Sequence, residues 1–347
     1  MSNVFRLSFI RLSVYLFIII FAASCKMDGG RKKRSTGKTN EILVITNTKD
    51  MWNSDIGDTI RSFFGQFQEG LPQPESMFKL YNIPEAALNK TFKALHAIFI
   101  VHIDPEFSQP LVEAKRDLWS KPQIVIKISA PDAQTFYTLF EEQREGFLKL
   151  YTDLEIQRTN FFFKMARDIS LATKLQKKFG FTLDIPGGFA VAYENENFIW
   201  LRQTMHKVKQ DAEMGIMIYR FPYTDTSVFM LNNILDMRDT LTRRYVPGPT
   251  EGSYMAVSRE FIPPVSKRKG DYVSDFAVET RGLWTVVNDF MGGPFINYTL
   301  TDPENQYVIT LDGYVYNPNG LKRNFVRQQE AILHTLKFTK TKGDSYD

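Results

Sequence analysis

The segment His102-Ile103-Asp104-Pro105-Glu106 comes nearest to metal chemistry in this chain, because a strand ending at residue 103 would direct His102 and Asp104 to the same side. Two ligands fall short of the three or four that a transition-metal site takes, and an Asp-Pro turn closing a strand explains Asp104 equally well. His96, His206 and His334 are scattered, with no carboxylate at a recurring metal spacing. Asp302 and Glu304 form a local acid pair, but Asp302-Pro303-Glu304-Asn305 is also ordinary turn chemistry. Glu141, Glu142 and Glu145 cluster with Arg144 at helical spacing and read as a solvated face. The chain has no Gly-x-Ser-x-Gly elbow, Walker loop, Gly-x-Gly-x-x-Gly fingerprint or His-Glu-x-x-His pair. No catalytic residue, metal site or cofactor is therefore assigned. The remaining candidate is Gly292-Gly293-Pro294-Phe295, where two glycines let the backbone turn sharply or come close to a ligand. A sheet corner is the favoured reading. If it is a pocket, Trp284, Asp289, Gly292, Gly293, Asp312 and Tyr314 would line it and suit a sugar or a peptide.

The one cysteine of the 347 residues, Cys25, points to a different chemistry, covalent acylation. Arg6 and Arg11 precede an uncharged stretch from Leu12 to Ser24, the pattern of a secretory leader. The stretch is too short for the roughly 20 apolar residues of a membrane-crossing helix. Ala22, Ala23 and Ser24 immediately before Cys25 resemble a bacterial lipobox, in which the leader is cut before the cysteine and its sulfur takes a diacylglyceryl group. Residues 1–24 are then a lipoprotein signal peptide. The expected partner is a membrane, reached through N-terminal acyl chains.

Charge narrows the partners further. The formal net charge is +4, yet residues 1–40 hold eight of the 43 basic residues and one of the 39 acidic ones. Residues 41–347 keep 35 against 38, close to neutral, so the folded part lacks the basic excess of a nucleic-acid binder. Residues 25–40, with Gly29-Gly30 and Arg31-Lys32-Lys33-Arg34, read as a lipidated, flexible basic linker. The four basic residues would add attraction to anionic headgroups.

Beyond the linker the chain divides into halves at 41–185 and 186–347. The first opens with the apolar run Ile42-Leu43-Val44-Ile45, then a helix carrying Ile56, Ile60, Phe63, Phe64 and Phe67 on one face. Strands are expected at 77–83, 97–103, 112–118 and 123–129, with a short helix at 85–95. From Asp132 to Gly180 the apolar spacing is helical, as one long helix or, as average helix lengths favour, two broken near Gly146. The second half turns to β, with strands at 189–193, 198–203, 213–220, 272–280, 283–287, 295–301 and 307–315. Helices are expected through Leu231 to Leu241 and from about Leu321 to Leu336. Hairpins in series with intervening helices describe an α+β fold with antiparallel sheet, a pattern that permits two similar halves around a long central helical segment.

Three motifs carry a family resemblance. Trp119-Ser120-Lys121-Pro122-Gln123, Gly292-Gly293-Pro294-Phe295 and Leu311-Asp312-Gly313-Tyr314-Val315-Tyr316 resemble a family of Bacteroidetes lipoproteins containing a domain of unknown function, DUF4837, from about Asn40 to Phe338. The resemblance implies an envelope lipoprotein with three acyl chains at its mature amino terminus, and no site residues. Lys26-Met27-Asp28, lacking the run of acids that follows the cysteine in surface-exported lipoproteins of that phylum, favours the periplasmic leaflet of the outer membrane. The reading preferred on these grounds is a non-enzymatic binding or assembly component with an envelope protein or glycan as partner. The alternatives are an envelope hydrolase using Asp and Glu residues, or a carrier of a small ligand or lipid.

Overall fold

A computed structural model describes residues 32–206, 211–273, 276–304 and 306–339. Cys25, the leader and residues 25–31 of the expected linker lie outside the described residues. The fold is α+β, as the patterning implies.

The first half runs β1 (Glu41–Thr46), α1 (Lys49–Trp52), α2 (Asp55–Phe64), β2 (Lys79–Pro84), α3 (Lys90–Lys93), β3 (Ala97–Ile103), β4 (Leu111–Arg116), β5 (Ile124–Ala130) and α4 (Ala133–Met165). Its sheet has the order β2-β1-β3-β5-β4, and only β4 pairs antiparallel. Parallel strands buried on both faces read as continuous apolar runs, which is why β1 and β3 lack alternation. One face packs Ile42, Val44, Phe99 and Ile126 against α2 and α4, through Phe64, Phe140 and Tyr151. The other covers Leu43, Ile45, Ile98 and Ile100 with Leu88, Phe92 and Trp119.

Helix α4 is one 33-residue helix rather than two broken at Gly146. Its buried stripe Phe136, Phe140, Phe147, Tyr151 and Leu154 passes without interruption beneath Gly146, which lies on the solvent side. A single helical glycine costs about 1 kcal/mol, less than the packing of one such ring. The break falls at Ala166–Asp168, where Asp168 caps α5 (Ile169–Phe179) by accepting from the Leu171 N–H at 2.9 Å.

Helix α5 and β6 (Phe181–Thr182) belong to the second half, since Leu171, Leu175, Phe179 and Phe181 enter its core. The boundary is thus near residue 167, not at 185–186. Next come β7 (Ala190–Asn195), β8 (Phe198–Met205), β9 (Ala212–Pro222), α6 (Leu231–Tyr245), β10 (Tyr254–Ser258), β11 (Val265–Lys269), β12 (Ala277–Val287), β13 (Gly292–Thr301), β14 (Tyr307–Tyr316), α7 (Arg323–Leu333) and β15 (Lys337–Phe338). The expected antiparallel sheet is here, eight strands in the order β10-β12-β13-β14-β9-β8-β7, with β11 also on β12. Helix α6 covers one face and α5 with α7 the other. The two halves are not alike in topology and do not share a sheet.

Two contacts join chain segments that the patterning left apart. Helix α7 has no capping side chain of its own, and Glu75 of the first half accepts from the N–H groups of Lys322 (2.7 Å) and Arg323 (3.0 Å) at its start. Residues 33–40, expected in the solvated linker, instead lie as a strap along the first half. The Ser35 N–H donates to Lys121 O, the Lys121 N–H to Lys33 O, the Thr36 N–H to Ala94 O and the His96 N–H to Thr36 O. The strap is clamped from below by a buried pair, His96 and Glu155, 2.7 Å apart. His96 Nδ1 lies 2.8 Å from Thr36 O, Glu155 accepts from the Asn40 N–H at 3.0 Å, and Arg158 reaches both Glu155 and Gly37 O. Glu155→Ala would take a partner at once from His96, the Asn40 N–H and Arg158. We expect a loss of roughly 2–3 kcal/mol and much faster tryptic cleavage after Lys33 and Arg34, read by limited proteolysis.

Candidate functional site

The six residues expected around a pocket are mostly packed into the layer beneath α6. Gly292 and Gly293 lie within β13, opposite Thr285 and Trp284 of β12. A Cβ on Gly293 would sit 2.0 Å from Val315 O, the same carbonyl that accepts from the Trp284 indole at 3.2 Å. The glycine therefore serves a close approach of the protein to itself. Tyr314 stacks edge-on against Trp284, donates to Glu213 at 2.7 Å and accepts from the Trp200 indole at 3.0 Å. Its ring occupies the space a side chain at Gly215 would fill. Asp289 stands apart, on the β12–β13 turn, accepting from the Phe290 N–H at 2.6 Å. Trp284, Asp312, Gly292, Gly293 and Tyr314 thus fill a core layer, in place of the ligand pocket weighed for them from the sequence.

Asp312 is held there by a residue that sequence reasoning missed. Arg238 of α6 donates through Nε to Oδ2 at 2.9 Å and through Nη2 to Oδ1 at 3.3 Å, both side chains being 0% exposed. The guanidinium lies 4.3 Å over the Phe295 ring. Burial pushes the Asp312 carboxyl above its ordinary value, while the charge of Arg238 pulls the other way. The available signal was an arginine on the apolar stripe of a helix, at the spacing Ile234, Leu235, Arg238, Thr242.

The opposite face of the sheet carries a larger network, also unread. Arg281 Nε bonds Glu279 at 2.6 Å and its Nη2 bonds Glu330 at 2.8 Å; Arg327 bonds the other oxygen of Glu330 at 2.5 Å. Tyr298 donates to Glu279 at 3.0 Å and lies 3.0 Å from His334 Nε2. Burial alone would raise Glu279 and Glu330, but Arg281 and Lys269 around the first, and Arg327 and Arg281 around the second, hold both below the usual carboxylate value. Burial lowers His334. These charges pair with one another within the sheet and its helices, and Arg281 Nη1 and Arg327 Nε are left without a hydrogen-bond partner.

The remaining candidates resolve into local structure. His102 lies 2.8 Å from Glu85, and Asp104 accepts from the Glu106 N–H in a turn. Among the described residues no group of three or more His, Cys, Asp or Glu is placed to hold a metal ion. Asp302 accepts from the N–H groups of Gln306 and Tyr307, and Arg144 pairs with Glu141 on the surface of α4.

What the second half does present outward is its edge strand β7. It ends the eight-stranded sheet, and residues 190–194 are all exposed, Val191 at 40% and Tyr193 at 38%. The two-residue turn Glu196-Asn197 returns the chain to β8, with Asn195 accepting from the Asn197 N–H at 3.0 Å. Beside this hairpin an open groove of about 570 Å³ runs between Tyr193, Asn195, Arg220, Arg244 and Tyr245. The Tyr193 and Tyr245 rings stack with centroids 4.9 Å apart, above Phe198. An unpaired backbone edge and an aromatic, amide- and guanidinium-lined groove thus adjoin on one hairpin.

Sequence comparison divides the chain where the fold does. Residues 168–335 match a domain of unknown function, DUF4837. Residues 35–164 match a different one, DUF8532. The DUF4837 match is narrower than the span from Asn40 to Phe338 that the motifs implied, and Trp119-Ser120-Lys121-Pro122-Gln123 falls in the DUF8532 region. No curated protein matches the chain. Among solved structures, the Ran-binding protein Mog1p of Saccharomyces cerevisiae is similar at 9% identity and a TM-score of 0.31, covering 46% of this chain and 90% of Mog1p. A Bacteroides thetaiotaomicron protein is similar at 11% identity and a TM-score of 0.20, covering 48% and 47% of the two chains. At such scores neither likeness bears on function.

Proposed function

We propose that this chain is a lipid-anchored binding or assembly component of a Bacteroidetes cell envelope, attached through Cys25 to the periplasmic leaflet of the outer membrane, and that it receives an extended segment of another envelope protein along β7. The observation that carries the binding reading is the open edge. Natural sheets blunt exposed edges with lysine, proline, bulges or a covering element. The edge strand β4 follows that rule with Glu113, Lys115 and Arg116, whereas β7, although its register shifts between Val191 and Tyr193, offers no charge along Ala190, Val191, Ala192 and Tyr193. Strand addition takes affinity from main-chain hydrogen bonds and specificity from adjoining side-chain pockets, the role available to the groove at Tyr193 and Tyr245. The leader pattern and Cys25 support the anchor. Among the described residues no helix is long and apolar enough to cross a membrane.

The test is a photoactivatable phenylalanine analogue at position 193 in intact envelopes, with adducts identified by mass spectrometry. One abundant protein adduct is expected, falling by about tenfold in a Val191→Lys background, since an inserted edge charge opposes strand pairing. The same probe at Phe290 should give none of it. An adduct indifferent to Val191→Lys, or glycan alone, would overturn the reading.

A further inference from the structure

We propose that the end of α4, together with the strap, is a docking face for an anionic lipid surface. The inference rests on the lipid-anchor reading of Cys25. Phe161, Phe162, Met165 and Ile169 are 55%, 53%, 76% and 70% exposed, and they lie close together at the α4–α5 junction. Phe163 between them turns inward onto the second core, which fixes the direction in which the others project. Four large apolar side chains exposed at one place in the fold form an exposed apolar patch of the kind that marks an interaction surface.

Two observations name a bilayer as the occupant. The first is charge. The Arg34 guanidinium lies 4.4 Å from the Phe162 ring centroid and 5.2 Å from that of Phe161, so the basic strap and the apolar patch are one surface. Lys33 of the strap and Lys164 of α4 are exposed as well, and residues 156–167 contain no acid, although Arg158 and Arg167 of that stretch pair with Glu155 and Asp184. Aromatic and aliphatic side chains rimmed by Lys and Arg match the composition of helices that lie in the headgroup boundary.

The second is reach. Seven residue-to-residue steps separate Cys25, the expected acylation point, from Lys32. Even fully extended they span at most about 25 Å, and the strap is hydrogen-bonded to the domain from Lys33 onward. An anchor of that length holds the face around Arg34 toward the bilayer. The apolar patch is on that face.

The experiment uses the acylated chain with Met165→Cys, carrying an environment-sensitive fluorophore, reconstituted into vesicles with and without anionic phospholipid. Cys25 does not compete for the label when its sulfur is in a thioether, and the mass of the N-terminal peptide reports that directly. Expected are a blue-shifted emission, quenching by bilayer-resident brominated lipid, and strengthening of both with anionic lipid, while the same label at Phe290→Cys stays water-exposed. Phe161→Ser/Phe162→Ser in a Cys25→Ser chain should lower partitioning onto anionic vesicles by roughly tenfold or more. Acylation with a water-exposed label at 165 would overturn the docking face and leave the anchor standing. An unmodified N-terminal peptide would overturn the anchor itself and this inference with it. Shielding of the label in native envelopes but not in pure lipid vesicles would also overturn the inference, assigning the patch to a protein.

Discussion

Asp312→Ala is expected to lower stability by about 3–5 kcal/mol, measured as a shift of the urea midpoint at unchanged slope. The alanine removes both acceptors from an arginine that is 0% exposed, and the surrounding layer offers little in exchange. Met255 Sδ lies 3.6 Å from Nη2 and the Phe295 ring lies beneath the guanidinium, neither able to replace a carboxylate. The loss measures the uncompensated charge, not the worth of the pair. The double variant Arg238→Met/Asp312→Leu should therefore recover most of it, because two apolar side chains of similar volume leave nothing ionised in the layer. Equal stability of the single and double variants would show that the ion pair is not what Asp312 contributes.

Glu330→Ala should cost a similar amount at pH 7, about 3–5 kcal/mol, because it leaves two buried guanidiniums, Arg281 and Arg327, short of an acceptor. Its second signature is in the pH dependence. In the folded chain Glu279, Glu330 and His334 all titrate below their ordinary values of 4.5, 4.5 and 6.5. The unfolded chain therefore binds more protons than the folded one in acid, and stability falls as the pH falls. The His334 contribution is complete above about pH 6.5 and fades below it; the glutamate contributions are complete above about pH 4.5 and fade as the pH drops toward their folded values. Asp312 acts in the opposite sense. Its raised value adds stability in acid that is lost as the pH rises through it, so it offsets part of the fall just above its ordinary 3.8. Urea midpoints between about pH 3 and 8 should show a steep acid limb in the parent and a shallower one in Glu330→Ala. Parallel limbs would place the acid sensitivity elsewhere in the chain.

Local pattern was enough where a rule of spacing decides. The strand at 97–103, the hairpin around residues 302–305 and the helix stripe Ile56, Ile60, Phe63, Phe64 appear as read, except that the helix ends at Phe64 and leaves Phe67, counted on the same face, 64% exposed. Glycine misled where its cause was remote. Gly282 looked like a gap between two strands, yet β12 runs through it because the Phe295 ring on the neighbouring strand takes the space of its side chain. Gly292-Gly293 looked like a corner before a strand that in fact includes them. Strand β11 carries a serine, two lysines and an arginine after a single valine, and it exists by pairing with β12. Asp312 and Tyr314 are two residues apart in β14 and so share a face. Nothing local indicates that the partner of Asp312 stands 74 residues earlier, on a helix. The exposed edge of β7 is equally a property of strand order, which the residues 190–195 do not encode by themselves.

The carboxylate of Glu75 at the start of α7 has a consequence for inheritance. The matches to two different domains of unknown function meet near residue 167, and a boundary of that kind invites the view that either part could be exchanged for another. A borrowed second part would arrive with a helix whose first N–H groups need an acceptor carried by the other part, 247 positions upstream of Lys322. Substitution at Glu75 would leave the Lys322 and Arg323 N–H groups without that acceptor, and a fusion of unrelated partners would have to supply that single acid before its closing helix could seat.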